Sequence, residues 1–460
     1  MGNRRRGVQV RIWALSAAVV WSLPGTAAAQ ATQAADSASF PLVAAVRRAL
    51  VTHPSVGMTE AQVAGSDALV AAARSARLPR LSVNVNGTRF EQPMIVAPLH
   101  GLDLMRPPRF DETLLQGRLE AGYTLFDGGA RGARIDRALA NAGSASATDA
   151  VARGALIERA VRAYLRVRSG REVVAAHAAQ VSSLESERDR AERMFSAGRV
   201  ARVAVLRAEA ALSRARAAQS SAVGSLREAE GDLARLTDTT VTALEGSRLE
   251  SAAPGANLLQ PERPRLIEAA SSSSPSVERA RLRLRAAEAG HREAVASYWP
   301  TLSLAGGYVA YASASDAAVT EWQAALQMAW PVFTGGARQA AAARAASEAT
   351  AASAAVRMAE LDVAAEVDRA VTALEEAQAR EASLAAAETQ FEEVVQVESL
   401  ALETGAGVQT DYLRAVSDLL ETRAALTGAR SAVVGAHVTL ARLTGELTVE
   451  WLERMVEVGQ

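Results

Sequence analysis

The chain has 460 residues with 50 basic and 51 acidic side chains, a formal net charge of −1, 49% hydrophobic but only 4% aromatic residues, and no cysteine. Balanced charge gives no electrostatic reason to expect nucleic acid as a partner, and zero cysteine excludes disulfides, thiolate metal sites and cysteine nucleophiles. Length alone predicts about three globular domains, but roughly a hundred of the apolar residues are alanine, which favours helix and buries little area, so composition points to long, closely packed helices.

In chain order, Arg4, Arg5, Arg6 and Arg11 precede an apolar run over residues 12–23, and Ala27, Ala28 and Ala29 follow. This pattern predicts a secretory signal peptide over residues 1–29, cleaved to leave Gln30 first. No later stretch has about 18 consecutive strongly apolar residues. An exported chain of this kind has only β-strands with which to cross a membrane.

A first unit is expected over 30–238. It opens with a helical stretch over 40–77, ended by Pro79. Two segments of period-two alternation follow, near 78–89 and 114–126. Leu81, Val83 and Val85 share one face, as do Leu115, Leu119, Ala121 and Tyr123; Arg118 and Glu120 lie on the opposite face. Between them Pro93, Pro98, Pro107 and Pro108 mark a loop. A helical hairpin is expected over 128–237, turning at Gly198, and its longer arm of about 69 residues would approach 100 Å at ~1.5 Å per residue. A Ser-, Pro- and Gly-rich linker over 239–263 would lie partway along the rod.

The second unit, 264–446, repeats the first: a helix over 264–297, strands near 298–311 and 321–333, and a hairpin over 335–445 turning at Gly405. Trp322, Ala324, Leu326 and Met328 alternate with Gln323 and Gln327. The tail, 447–460, is expected to pack near the level of the linker. The duplication is visible directly. Tyr123-Thr-Leu-Phe-Asp-Gly-Gly-Ala-Arg131 matches Trp330-Pro-Val-Phe-Thr-Gly-Gly-Ala-Arg338 at an offset of 207, and Leu233-Ala-Arg-Leu-Thr237 matches Leu440-Ala-Arg-Leu-Thr444 at the same offset. Upstream, His53-Pro-Ser-Val56 matches Ser274-Pro-Ser-Val277 at an offset of 221, so the extra 14 residues fall in the proline-rich loop.

Ten-residue alternating segments with aromatic ends, in an exported chain, read as transmembrane strands whose polar faces line an aqueous lumen; Arg118, Glu120, Gln323 and Gln327 are the lumen candidates. Four strands cannot close a barrel, and an open edge in lipid leaves backbone groups unpaired. Two, three or four copies would supply 8, 12 or 16 strands, and the residues alone do not choose among them.

The paired Pro-Ser-Val helix starts, the Leu/Trp-Pro-x-Leu-Ser strands, the Phe-x-Gly-Gly-Ala-Arg turns and the glycine-marked hairpins together resemble the TolC-like outer-membrane efflux protein family, over residues 40–445. The resemblance implies a mainly α fold with a transmembrane β-barrel. In it a homotrimer builds a 12-stranded barrel in outer-membrane lipid, joined to a periplasmic α-barrel. It further implies a passive exit duct that docks on a periplasmic adaptor and an inner-membrane transporter. The hairpin turns then form the periplasmic entrance, with Gly198, Val200, Leu206, Gly405, Val408 and Leu413 as tip and adaptor-contact candidates. Asp411 matches an aspartate that narrows the entrance in the family. Arg414 stands where a second is expected, and Arg207 occupies the equivalent place in the first unit, so Asp411, Arg414 and Arg207 are the gate candidates. Without cysteine the chain is not expected to be a lipoprotein.

The five histidines are scattered without metal spacing, and no hydrolase or phosphate-loop motif is present. Neither an enzyme, a cofactor nor a metal is expected. The rival from another class is a periplasmic structural or adaptor coiled-coil protein.

Overall fold

The computed structural model describes residues 39–96, 105, 110–245, 248–249, 262–313, 318–404 and 406–457. The first half contains β1 (Ser39–Phe40), α1 (Leu42–Thr52), α2 (Pro54–Ser75), β2 (Arg80–Ile95), β3 (Phe110–Phe126), α3 (Ala130–Ser196), α4 (Arg202–Thr237), α5 (Val241–Glu245) and β4 (Arg248–Leu249). The second contains α6 (Arg263–Ser273), α7 (Pro275–Ala296), β5 (Thr301–Ala312), β6 (Val319–Ala329), α8 (Ala337–Glu403), α9 (Gln409–Thr444) and α10 (Val449–Glu457). The signal-peptide region, most of the linker and Gly405 lie outside the described residues.

The duplication is carried into three dimensions with little change. α3 and α8 are each 67 residues long, and α4 and α9 are each 36. Glu185 pairs with Arg216 between α3 and α4, and Glu392 with Arg423 between α8 and α9, at 2.6 and 2.5 Å. In the same sense Glu60 of α2 binds Arg153 of α3, while Arg281 of α7 binds Glu360 of α8, the same bridge with its charges exchanged.

One expectation needs correction. The leading helix of each unit is two helices, broken at Pro54 and at Pro275. Proline has no N–H to continue the hydrogen-bond ladder but is well placed as the first residue of a new helix, so α2 and α7 start on it. His53 caps the first break by accepting from the Ser55 backbone N–H at 3.3 Å.

The strands also differ in extent. β2 and β3 are 16 and 17 residues long because pairing continues past an irregularity between Arg89 and Met94, where Pro93 is tolerated. β6 ends at Ala329, ahead of Pro331, so Trp330 to Phe333 lie beyond it.

The four long strands form one antiparallel sheet in the order β2-β3-β5-β6. Its registers align rows across the sheet. Val83, Leu119, Tyr308 and Trp322 form one row, all on one face. Ser82, Glu120, Gly307 and Gln323 form the adjacent row on the other. The apolar face has no cover: Val83 is 71% exposed and Trp322 77%.

The helical half has its densest packing midway along the rod. Leu42 and Val46 of α1, Tyr164 of α3, Leu233 of α4, Leu244 of α5, and Leu452 and Met455 of α10 share one buried cluster. The Tyr164 hydroxyl donates to the Phe40 carbonyl at 2.9 Å, tying β1 into it. β1 in turn pairs in parallel with β4, so the linker and the tail meet at this level. A second cluster joins α6, α7, α8 and α9 through Leu266, Val277, Val367, Leu374 and Leu440.

Candidate functional site

The sheet places Arg118, Glu120, Gln323 and Gln327 on the face opposite the apolar rows. Glu120 stands opposite Ser82 and Gly307, Gln323 opposite Gly307, and Gln327 opposite Ser303. Arg118 and Glu120, two residues apart on one strand, form a 3.0 Å ion pair and remain about two-fifths exposed. The face is not uniformly polar: Val309, opposite Arg118, is buried, and Tyr311 is half-buried.

The joint between sheet and helices is built around the two Gly-Gly pairs. Gly128 and Gly129 have φ of 64° and 90°, Gly335 and Gly336 of 61° and 87°, conformations in which a side chain is strained. The Asp127 carboxylate accepts from the Gly129 and Arg131 backbone N–H groups and pairs with the Arg131 guanidinium at 2.9 Å. In the second unit Thr334 takes that place and accepts from Arg338 Nε at 3.3 Å.

Each arginine then reaches two further segments. Arg131 donates to the carbonyls of Ala76 and Leu125, and Arg338 to those of Ser297 and Val332. Arg131 also lies over the Tyr123 ring and Arg338 over the Tyr298 ring, at 5.9 and 5.4 Å. A single side chain therefore ties the start of the long helix to the end of the short helix and to the chain leaving the strand. In the sequence alone the motif reads as a turn. The repeated arginine was the signal of this second role.

At the opposite end, Gly198 turns the first hairpin with φ of 69°. Leu206 and Val408 are exposed, and Val200 and Leu413 are half-buried. Asp411 stands in the first turn of α9, and Asp411, Arg414 and Arg207 are all exposed. Among the described residues Asp411 and Arg414 form no ion pair with each other, although they are three apart on a helix. The two tips also differ in kind. α3 carries Glu187, Arg190 and Arg193 where α8 carries Val394, Val397 and Leu400, and these last three are exposed.

Two titrating groups sit near the middle of the rod. Burial pushes His437 below the ordinary histidine value. Burial alone would raise Glu158, but the Thr439 hydroxyl at 2.8 Å, with Arg442 and Arg162, outweighs it and holds the carboxylate below its usual range. Among the described residues no group of side chains could hold a metal ion, and no helix is long and apolar enough to cross a membrane.

A two-faced, four-stranded sheet with neither outer edge paired among the described residues, carried on helices of 67 residues, is the architecture of β-barrel channel proteins with a helical extension. The model of the outer membrane efflux protein family matches residues 45–239 and 266–446, and the chain belongs to that family. Among solved structures it is similar to a membrane protein from Pseudomonas aeruginosa, at 23% identity and a TM-score of 0.73, covering 88% of this chain and 91% of that one. It is also similar to the outer membrane protein VceC from Vibrio cholerae, at 19% identity and a TM-score of 0.70, covering 88% and 96%. The Campylobacter jejuni CmeC outer membrane channel matches at 16% identity and a TM-score of 0.72, covering 91% and 89%. No curated protein is a significant match. The fold is thus that of the TolC-like channels, and this family and these neighbours are outer membrane channels, not enzymes.

Proposed function

We propose that three copies of this chain assemble into a channel-tunnel, the passive exit duct of a tripartite efflux pump or type I secretion system. Three four-stranded sheets would close one 12-stranded barrel in outer-membrane lipid, and the helices would continue it as a tube into the periplasm. An inner-membrane transporter and a periplasmic adaptor would supply cargo and docking at the tips, around Gly198, Val200, Leu206, Gly405, Val408 and Leu413. The observation that carries this reading is the sheet itself: one uncovered apolar face, one largely polar face and two unpaired edges. Such a sheet in lipid demands closure, because each unpaired backbone group there costs several kcal/mol. A soluble adaptor or structural coiled coil has no use for an exposed row such as Val83–Leu119–Tyr308–Trp322.

The test is reconstitution. Protein purified from an outer-membrane fraction should run on a gel as a slower, oligomeric band before heating and as the single chain after, and should give discrete conductance steps in a planar bilayer. A soluble periplasmic protein without conductance would overturn the proposal. Within it, Asp411, Arg414 and Arg207 form a mixed-charge entrance, and Asp411→Ala should alter conductance or ion selectivity. An unchanged channel would remove Asp411 from the gate.

A further inference from the structure

α9 lies between the two long helices and packs on both α3 and α8. At about 100° per residue, Leu440 and Ala441 fall on the side of α9 that meets α6 and α10, in buried clusters with Leu266 and Leu452. Gly428, Ser431, Gly435 and Thr439 fall on the opposite side and floor an open groove of about 790 Å³. Its walls carry Arg162 and Arg166 of α3 and Glu366 and Arg369 of α8, with Arg442 of α9 at one end.

The two glycines of this floor are not there for close packing. Nothing lies within 4 Å of a Cβ added to Gly428 or Gly435, although glycine weakens a helix. The internal repeat supplies a comparison. At the offset of 207 residues, α4 carries Glu228 where α9 has Gly435, and Asp232 where α9 has Thr439. On α9 both acids are gone, while the walls on either side carry arginine.

The remaining carboxylates do not neutralise those arginines. Glu158 and Glu366 are taken up by Arg442, at 2.5 and 3.3 Å. Arg162 also binds Glu158, at 2.7 Å, and donates to the Thr439 hydroxyl at 3.0 Å. Arg166 has Asp232 at 3.5 Å, a carboxylate it shares with Arg235. Arg369 donates to the Ala365 carbonyl of its own helix at 3.2 Å and has no carboxylate partner among the described residues. In this network Arg162, Arg166, Arg235, Arg369 and Arg442 outnumber Glu158, Asp232 and Glu366 by two. Arg162 and Arg166 keep 57% and 66% of their side-chain surface exposed.

We propose that this groove is an anion station in the bore of the tube, which rests on the channel reading above. β1, β4, α5 and α10 form an extra layer on one side of the helical wall, and an open tube can carry that layer only on its outside. The groove, on the opposite side of α9, then opens inward. A solute bearing a phosphate, sulfonate or carboxylate lies on the glycine floor with its oxygens toward Arg166 and Arg369, whose guanidinium groups meet an oxyanion through charge-assisted hydrogen bonds. A carboxylate at position 435, such as α4 carries at Glu228, would repel the same oxyanion. The class of cargo favoured is therefore anionic.

The test uses the full-length oligomer in a planar bilayer, with inorganic phosphate added to potassium chloride at constant ionic strength as the probe. Phosphate should interrupt the current in a saturable way. Arg166→Gln with Arg369→Gln should raise the half-blocking concentration at least about tenfold, and Arg166→Lys with Arg369→Lys should recover part of that loss. Gly435→Glu, for which the groove has space, should weaken the block as much with every arginine in place. A conducting channel that phosphate does not block, or blocks equally in all these variants, would overturn the anion station and leave the channel reading intact. A non-conducting protein would overturn the channel reading. Calorimetric titration of the same purified protein with phosphate then decides the groove by itself: a binding heat that Gly435→Glu abolishes upholds it as an anion site, and no heat overturns it. Binding heat without block in a conducting channel would put the groove outside the bore and overturn the station.

Discussion

The two Gly-Gly turns allow one substitution to be made twice in nearly the same backbone conformation, with different consequences. Gly128 and Gly335 have φ of 64° and 61°, and an alanine in that region costs about 1–2 kcal/mol wherever it is placed. At Gly128 a second cost is added. A new Cβ would stand 2.6 Å from Trp299 Cβ and 2.7 Å from the Ala296 carbonyl oxygen, neither of them the end of a flexible side chain. Overpacking of this kind costs about 1–3 kcal/mol, so Gly128→Ala should destabilise the single chain by about 2–5 kcal/mol. At Gly335 nothing lies within 4 Å, and Gly335→Ala should cost the single chain only about 1–2 kcal/mol. Urea titration of the chain held monomeric in detergent, followed by tryptophan fluorescence, measures the difference. Equal destabilisation of the two monomers would refute the reasoning.

Other outcomes follow from neighbouring residues with opposite surroundings. Leu326→Arg on the apolar face should cost about 2–4 kcal/mol if it lies near the bilayer midplane and abolish the heat-modifiable band, whereas Gln327→Arg should keep the band and change conductance. Asp127→Ala removes two backbone hydrogen bonds and an ion pair at the start of α3 and should cost about 1–2 kcal/mol. Thr334→Ala, which loses one 3.3 Å contact, should be milder in the same urea titration. His437 titrates below 6.5 in the folded chain because burial disfavours its charge. The unfolded chain therefore binds the extra proton first, and thermal stability should begin to fall as the pH drops through about 6.5 and go on falling to the folded value. His437→Gln should flatten that part of the pH profile, and an unchanged slope would assign it to another group.

The long elements were legible because their periodicities persist: ten residues of alternation, or 67 of helical spacing, leave few alternatives. Shorter features were lost where two signals overlapped. Pro54 and Pro275 interrupt stretches that are alanine-rich on both sides, and a proline that starts a helix leaves the pattern around it helical. The extension of β2 was hidden because Pro93 reads as a loop until the irregularity that accommodates it is seen. The arginine of the Gly-Gly motif was quoted, but its partners Ala76 and Ser297 lie 55 and 41 residues away, a distance that only the tertiary fold closes. The faces of Arg118, Glu120, Gln323 and Gln327 followed from alternation alone; Val309 on the same face did not, because the alternation of apolar and polar residues along β5 lapses at Gly306 and Gly307.

A duplicated chain has to distinguish its own second half from that of a neighbouring copy. Two identical repeats would present identical edges, and the first half could then join the second half of another chain as readily as its own. The differences between repeats oppose that exchange. Bridging Glu60 to Arg153 but Arg281 to Glu360 means that α2 set against α8 in the place of α7 would bring Glu60 to Glu360, like charges in contact. α7 set against α3 in the place of α2 would bring Arg281 to Arg153. The charged seam of Arg134, Arg137 and Glu293 joins α3 to α7, and the repeat equivalents of Arg134 and Glu293 are Ala341 and Ala72. Like charges at a swapped position therefore favour each short helix on the long helix of its own repeat.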